Sequence, residues 1–265
     1  LYRSLIVCEK EIDWGDDKWL LYAHRSEGLR NATHFLETAE KLLEATAIRV
    51  LFSDATYNFR HAILGTYKAS RKATRKPMGY YTLRKAMLSG ELQIVTKGGV
   101  WVKFQVGPGI EADDYIGVVA THPRSGSECV IVSQDKDFKG IPGRRWAGEI
   151  KDGKPVVYNS GILDADRWHL MQTLTGDVID GYEGCPGVGA VTAKQMLDDG
   201  MRWEPKQHTI LRGKRKGEVD IRWEQVPSET PWDTVVSCFE KAGLTEEDAL
   251  VQARVARILR YDDWD

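Results

Sequence analysis

Apolar residues change their spacing several times along this chain, and each change marks out an element. Leu29, Ala32, Leu36, Ala39 and Leu43 recur at helical intervals and predict a helix over roughly 27–46. Ile48–Phe52 (IRVLF) is a short, mainly apolar run ending at Ser53–Asp54, the pattern of a buried strand. Val100–Val106 alternates like a strand and stops at Gly107–Pro108–Gly109, after which a helix is expected over about 111–121. Cys129–Ser133 (CVIVS) is a second buried-strand pattern, ending at Gln134–Asp135. Nearer the start, Leu1–Cys8 suits either strand or helix. Ile12–Trp14 and Trp19–Tyr22 flank a Gly-Asp-Asp-Lys turn as a small hairpin.

A basic stretch broken by Pro77 and Gly79 leads into an expected helix at about 81–89. Beyond Asp164 the pattern turns helical. Arg202–Trp223, punctuated by glycine (RGKRKGE), reads as a two-stranded ribbon, and residues 231–242 and 245–260 as closing helices. Thr245 is placed to cap the second of these, with Glu247 in its first turn. Strands alternating with helices predict an α/β fold with a mostly parallel central sheet flanked by helices. Two regions are expected: a core over 1–173, and a helical region over 174–265.

Composition narrows the class. The 265 residues are 42% hydrophobic and 29% charged, a globular balance. No apolar window approaches a membrane span, and the first residues do not read as a signal peptide. Cys8, Cys129, Cys185 and Cys238 lie far apart, so a reducing cytoplasm is expected rather than a disulfide framework or zinc ribbon. No heptad run calls for more than a monomer. The net charge of −2 conceals separated blocks of opposite sign. From Arg60 to Gly90 there is no acid, while Arg60, Lys68, Arg71, Lys72, Arg75, Lys76, Arg84 and Lys85 are basic. Acids gather instead at Asp113–Asp114, Asp135/Asp137 and Asp177/Asp180. That separation suits a protein holding phosphates with one block and metal ions with the other.

In α/β sheets, sites form at the carboxyl ends of strands. Asp54 stands after the first buried run and Asp135 after the second, with Asp137 on the same face if the chain stays extended. Asp177 and Asp180 share a face if they lie on a helix. Glu111 and Asp113 converge only if Glu111 sits at an irregular first turn. Taken singly, each pair has a plainer reading, as turn residues or helix-dipole partners. Gathered in one crevice they would repel strongly, and hard divalent ions such as Mg²⁺ or Mn²⁺ would neutralise them. Two such ions promote phosphodiester hydrolysis.

Gly184–Cys185–Pro186–Gly187–Val188–Gly189, followed by Ala190–Lys194, reads as a glycine turn between helices. Gly187 and Gly189 permit close backbone approach, and free N–H groups at the next helix suit a phosphate, as in a helix-hairpin-helix that grips the DNA backbone. An ordinary helix connection is the plainer alternative. Tyr67–Lys76 is dense enough in cations for several phosphate contacts, with Tyr67, Tyr80 or Tyr81 available to stack on a frayed base. Its plainer reading is a solvated basic helix, and that of Arg202–Lys216 a surface ribbon.

The order Asp54, Tyr67–Lys68-x-x-Arg71, Glu111–Ala112–Asp113–Asp114, Ser133-x-Asp135–Lys136–Asp137, Thr175–Gly176–Asp177-x-x-Asp180 and Gly187-x-Gly189-x-x-Thr192–Ala193 resembles the 5′-nuclease family. That family includes flap endonucleases, the 5′-nuclease domains of bacterial DNA polymerases and phage 5′→3′ exonucleases. The compact length, Lys76–Tyr80 and Ala256–Arg260 look most like the phage enzymes, which implies host cytoplasm. The resemblance implies a PIN-like core with a helical arch over about 66–90 and a helix-hairpin-helix module. It implies a first metal on Asp54, Glu111 and Asp113, and a second on Asp135, Asp137, Asp177 and Asp180, with Asp114 bridging or bound through water. Lys68 and Arg71 would stabilise charge on the scissile phosphate. Arg3, Arg60, Tyr67, Lys72, Arg75, Lys76, Gly187, Gly189, Thr192 and Lys194 would contact DNA. A K⁺ ion often sits on the hairpin's carbonyls in this family. The substrate would be DNA with a 5′ end or flap, cut to leave a 5′-phosphate and a 3′-hydroxyl. The family's first strand carries a further metal-binding Asp about seven residues before an Arg that Arg3 matches, a position preceding residue 1. Alternatives are a PIN-like ribonuclease, including one acting on RNA–DNA hybrids, and a non-catalytic DNA-binding protein.

Overall fold

The computed structural model describes residues 1–73, 75–124 and 128–264, without the side chains of Lys72 and Ala73. The ambiguous first segment is helical, α1 (Tyr2–Ile6), and the predicted hairpin follows as β1 (Glu9–Asp13) and β2 (Trp19–Ala23). α2 (Arg25–Leu43) buries Ala32 and Ala39 and lays Leu29 and Leu36 on the cluster of Phe52, Met87, Ile94 and Val102. β3 (Ile48–Phe52) leads through α3 (Arg60–Ile63) and α4 (Tyr80–Ser89) to β4 (Val102–Val106), which pairs parallel with β3, Ile48 opposite Val102. α5 (Ala112–Thr121) then crosses to β5 (Val130–Val132), which pairs parallel with β6 (Gly143–Lys151).

The expected parallel pairing is therefore present, divided between two small sheets with α5 packed against both β3 and β5. β6 folds back on β7 (Lys154–Ser160) as an antiparallel hairpin absent from the sequence reading. Its signal lies in the chain: Asp152 and Gly153 adopt φ of 50° and 75°, the hairpin turn that an Asp-Gly pair favours. α6 (Ile162–Thr175) and α7 (Ala190–Asp199) lead into the ribbon, β8 (Met201–Thr209) and β9 (Val219–Pro227), and then α8 (Pro231–Lys241) and α9 (Glu246–Ala256). Thr245 caps α9, its hydroxyl accepting from the Asp248 N–H. Leu174, Ala193, Met196, Val235, Phe239 and Ala249 form the core of this helical part. No helix among the described residues is long and apolar enough to cross a membrane.

Past α9 the chain returns over α5, with the Leu259 N–H donating to Asp114 Oδ1 at 3.1 Å and that of Tyr261 to Thr121 Oγ1 at 2.7 Å. Asp114 is fully buried and Arg60 is 2% exposed. The Arg60 guanidinium grips both Asp114 oxygens, at 2.7 and 2.6 Å, and its Nε donates to Val255 O at 2.9 Å. Two expectations are corrected here. Arg60 spends its guanidinium on Asp114 and backbone carbonyls instead of a DNA phosphate, and both Asp114 oxygens are taken by Arg60 and backbone N–H groups rather than by a metal or its water. This pair ties α3, α5 and the end of α9 together. Asp114→Ala, which strands a buried guanidinium, should lower unfolding free energy by about 3–5 kcal/mol. Urea unfolding of Asp114→Ala and of Arg60→Met/Asp114→Leu checks this, the double variant being expected to recover much of the loss. A loss under about 1 kcal/mol for Asp114→Ala would show that the pair does not hold the fold.

Candidate active site

Five segments meet in one crevice, lined by Arg60, Tyr67, Lys68, Glu111, Asp113, Asp137, Gln172, Asp180 and Tyr182 and closed by Val255, Ala256 and Ile258. Glu111 is the N-cap of α5, with extended backbone (φ −79°, ψ 162°), and this irregular start lets it and Asp113 face the same space. Glu111 Oε1 accepts from Lys68 Nζ at 2.6 Å and Oε2 from the Tyr67 hydroxyl at 2.7 Å. Burial by itself would raise the Glu111 pKa, but Lys68, Arg60 and Tyr67 outweigh it and hold the carboxyl below the ordinary range. Tyr67 is 3% exposed, so the expectation that it stacks on a base is corrected: its ring is core and its hydroxyl orients Glu111.

Lys68 adopts a left-handed backbone (φ 51°), which is costly for a residue with a Cβ. Its N–H donates to Asp180 O at 2.7 Å and its Nζ lies 3.6 Å from Asp180 Oδ2. The approach is possible because residue 181 is glycine: at its φ of +76°, a Cβ would stand 2.6 Å from Thr66 O. Arg71 also pairs with Asp180.

Asp177 and Asp180 do not lie on a helix, contrary to expectation. α6 ends at Thr175 and the chain tightens into a turn in which Asp177 O accepts from Asp180 N–H at 3.1 Å and Gly181 N–H at 2.9 Å. The turn, instead of helical periodicity, gathers the two acids. Asp135 likewise does not continue an extended strand with Asp137. It caps a 3₁₀ turn, Lys136–Gly140, and its Oδ1 accepts from Asp137 N–H at 3.0 Å. Asp54 stands at the end of β3 as expected, but its oxygens accept from Thr56 N–H and Gly109 N–H, each at 2.8 Å, and from the Thr56 hydroxyl at 2.6 Å. Those donors hold its pKa low. Like Asp135 and Asp177, it stands beside the crevice lining and not in it.

Burial, reinforced by repulsion from Glu111, Asp135 and Asp114, raises the Asp113 pKa to about 7 even against Lys68. Burial and repulsion from Asp135, Asp177 and Asp180 raise Asp137 to about 6 against Lys136. Asp180 is raised by burial and by Asp177 and Glu111, despite Lys68 and Arg71. The crevice thus holds more negative charge than its own cations neutralise. Its donors are oxygens with no cysteine or histidine among the lining residues, a chemistry that fits a hard divalent cation. Among the described residues, no three acidic, histidine or cysteine side chains already stand close enough to share one ion. Lys68 Nζ lies between Glu111 and Asp180 instead.

Two crevice residues escaped the sequence reading. Gln172 Nε2 donates to Asp137 Oδ1 at 2.8 Å, and Tyr182, 3% exposed, backs the Asp177 turn through its carbonyl, which accepts from Asp177 N–H at 2.8 Å. Gln172 sits one helical turn before the end of α6, a position visible only once α6 is placed. The expected DNA contacts are scattered. Arg3 is exposed and donates to Gln134, while Arg75 holds Glu9 of β1 at 2.8 and 2.6 Å. Lys76 is exposed beside Tyr2 and Tyr80, and the Lys72 side chain lies outside the described residues. Gly187, Gly189, Thr192 and Lys194 are exposed at the start of α7, with Lys194 paired to Asp198. Only Gly187 uses positive φ (+76°), whereas Gly189 is the N-cap at −87°.

Residues 22–142 match the 5′–3′ exonuclease N-terminal, resolvase-like domain. The exonuclease of Escherichia phage T7 is 32% identical over 272 residues, spanning 100% of this chain and 86% of that protein. The exodeoxyribonuclease of Enterobacteria phage T3 is likewise 32% identical, over 100% of this chain and 86% of its own. A solved structure of the phage T5 5′-exonuclease with zinc bound aligns at a TM-score of 0.48 and 18% identity, covering 64% of this chain and 66% of that one.

The Asp113 carboxyl binds its proton more tightly folded than unfolded, so its contribution to stability is present at low pH and lost as pH rises through about 7. In EDTA, Asp113→Asn should melt above wild type by a margin that widens from pH ~5 to pH ~8, reaching several degrees at the higher pH. Thermal melts at both pH values check this, and the same gap at each would show that Asp113 carries no such penalty.

Proposed function

Because the chain belongs to the 5′–3′ exonuclease family, we propose that its crevice hydrolyses DNA phosphodiesters at or near a 5′ end, leaving a 5′-phosphate and a 3′-hydroxyl. The observation that carries this reading is the surplus of carboxylates, with Asp113 and Asp137 pushed towards neutrality by burial and by neighbouring acids, beside the cations Lys68 and Arg71. Asp54, Glu111, Asp113, Asp135, Asp137, Asp177 and Asp180 would hold two Mg²⁺ or Mn²⁺ ions. Bound there, such ions supply an activated water at neutral pH and offset the charge of the reacting phosphate. Asp114 is left out of the ligand set, since it is fully buried and each of its oxygens accepts both from Arg60 and from a backbone N–H.

The remaining work falls to this chain's own groups. Lys68 and Arg71 hold carboxylates at the crevice mouth, and both are placed to exchange them for the oxygens of a phosphate. Gln172 and Tyr67 fix the orientations of Asp137 and Glu111, so those carboxylates present constant faces to the substrate. The exposed turn at Gly187–Gly189, opening α7, offers backbone N–H groups to a phosphate of the duplex and carries no base reading. That hairpin favours DNA over the ribonuclease alternative.

A 5′-flap duplex labelled on the flapped strand provides the test. Mg²⁺ should release nucleotides from the 5′ end or cut near the junction, and EDTA should stop the reaction without preventing binding. Cleavage that persists in EDTA, or that prefers an all-RNA strand, would refute the proposal. Asp137→Asn should lower kcat on the order of 10²-fold while leaving DNA affinity within a few fold, because the lost oxygen serves the reacting phosphate rather than the grip on the duplex.

A further inference from the structure

The ribbon β8–β9 takes no part in the crevice, yet it is built as a projecting arm. Nine register pairs run from Met201 opposite Pro227 to Thr209 opposite Val219. At about 3.4 Å per residue, that ladder reaches roughly 30 Å. Its root is fixed to the helix that follows the glycine turn. Gly200 closes α7, and its carbonyl accepts from Ser228 N–H at 2.8 Å. Trp203 N–H donates to Ser237 Oγ at 2.9 Å, and Met201 and Trp203 pack on the core cluster of α6 to α9. Beyond this root the chain leaves the body, and residues 211–219 are all exposed.

Charge is arranged unevenly along the arm. On the strands it is internally matched: Arg202 meets Glu204 at 3.0 Å, Lys206 meets Glu224 at 3.1 Å and Arg222 meets Asp220 at 3.6 Å. At the tip, residues 210–217 carry Arg212, Lys214, Arg215 and Lys216 and no acid. Arg215 pairs with Glu218 at 2.6 Å, while Arg212, Lys214 and Lys216 have no ion pair among the described residues. Three solvated cations held together at the end of a rigid ladder repel one another. In a chain of net charge −2 they do not serve bulk solubility either. A polyanion relieves the repulsion, and a nucleic-acid phosphate backbone is such a polyanion.

We propose that the β8–β9 tip is a second DNA-binding arm, which clamps backbone phosphates of duplex beyond the length covered by the crevice and the glycine turn. This rests on the nuclease reading above and adds to it a specific consequence: affinity that depends on duplex length through Arg212, Lys214 and Lys216. A ribbon of this reach spans about 9 base pairs at the ~3.4 Å rise of each DNA strand.

The test is binding in EDTA to two flap duplexes, one with a duplex arm too short to meet the tip and one longer by roughly a helical turn. Wild type should bind the longer duplex more tightly. Arg212→Gln/Lys214→Gln/Lys216→Gln should lose that preference, and its salt slope on the longer duplex should fall by about 2.7, three phosphates at 0.9 each. Lys214→Arg/Lys216→Arg, which keeps the charge, should retain both. The tip lies outside the core, so an unchanged melting temperature confirms an intact fold. A triple variant that keeps the wild-type length preference and slope overturns the arm alone. Wild type that binds neither duplex overturns the nuclease reading and the arm with it.

Discussion

The carboxyl group of Asp114 is sealed inside the protein, and much of the structure exists to satisfy its oxygens. A lone buried carboxylate is costly to desolvate, so the chain surrounds it with the Arg60 guanidinium and the N–H groups of Glu111 and Leu259. Each partner comes from a different part of the sequence. Arg60 arrives from α3, Glu111 from the start of α5 and Leu259 from the tail beyond α9, with Arg60 also donating to Val255 O. Bringing these together closes the C-terminal segment over α5. Gly117 permits that closure, because a Cβ there would lie 2.2 Å from Leu259 O. The same closure sets the position of Glu111 and Asp113 one turn away.

Next to this satisfied carboxyl group lies an unsatisfied set. Asp113, Asp137 and Asp180 all have pKa values raised by burial and by repulsion from neighbouring acids, which means the fold has gathered acids that would separate if free. Lys68 and Arg71 relieve part of the repulsion from one side, at the expense of a left-handed backbone at Lys68. A 5′–3′ exonuclease needs such tension: a site already neutral would have little affinity for cations or for a phosphate beside them.

The elements themselves were largely legible. The strands IRVLF and CVIVS, the helix on Leu29 to Leu43, the Thr245 cap and the ribbon all appear near their expected places, because each is specified by local periodicity or capping. The β6–β7 hairpin was passed over although Asp152–Gly153 marked its turn. Conformation at the acids was harder to read. Asp177 and Asp180 lie in a turn and Asp135 caps a 3₁₀ segment, because hydrogen bonds between Asp side chains and nearby backbone N–H groups compete with helix and strand.

The sequence by itself determined the element order, the separation of acidic and basic blocks, and the motif string that identifies a 5′–3′ exonuclease. All of these are encoded in residue type and spacing. Only the tertiary structure decided which members of those motifs stay open to solvent and which are buried. Arg60, Tyr67 and Asp114 carry the same side-chain chemistry as Arg71, Tyr81 and Asp113, yet the first three are buried, with their polar atoms held by partners inside the protein. Spacing along the chain cannot distinguish them. Burial depends on what packs from far away, here α9 and its tail nearly two hundred residues beyond Arg60, and that long-range contact sets which charges meet solvent and substrate.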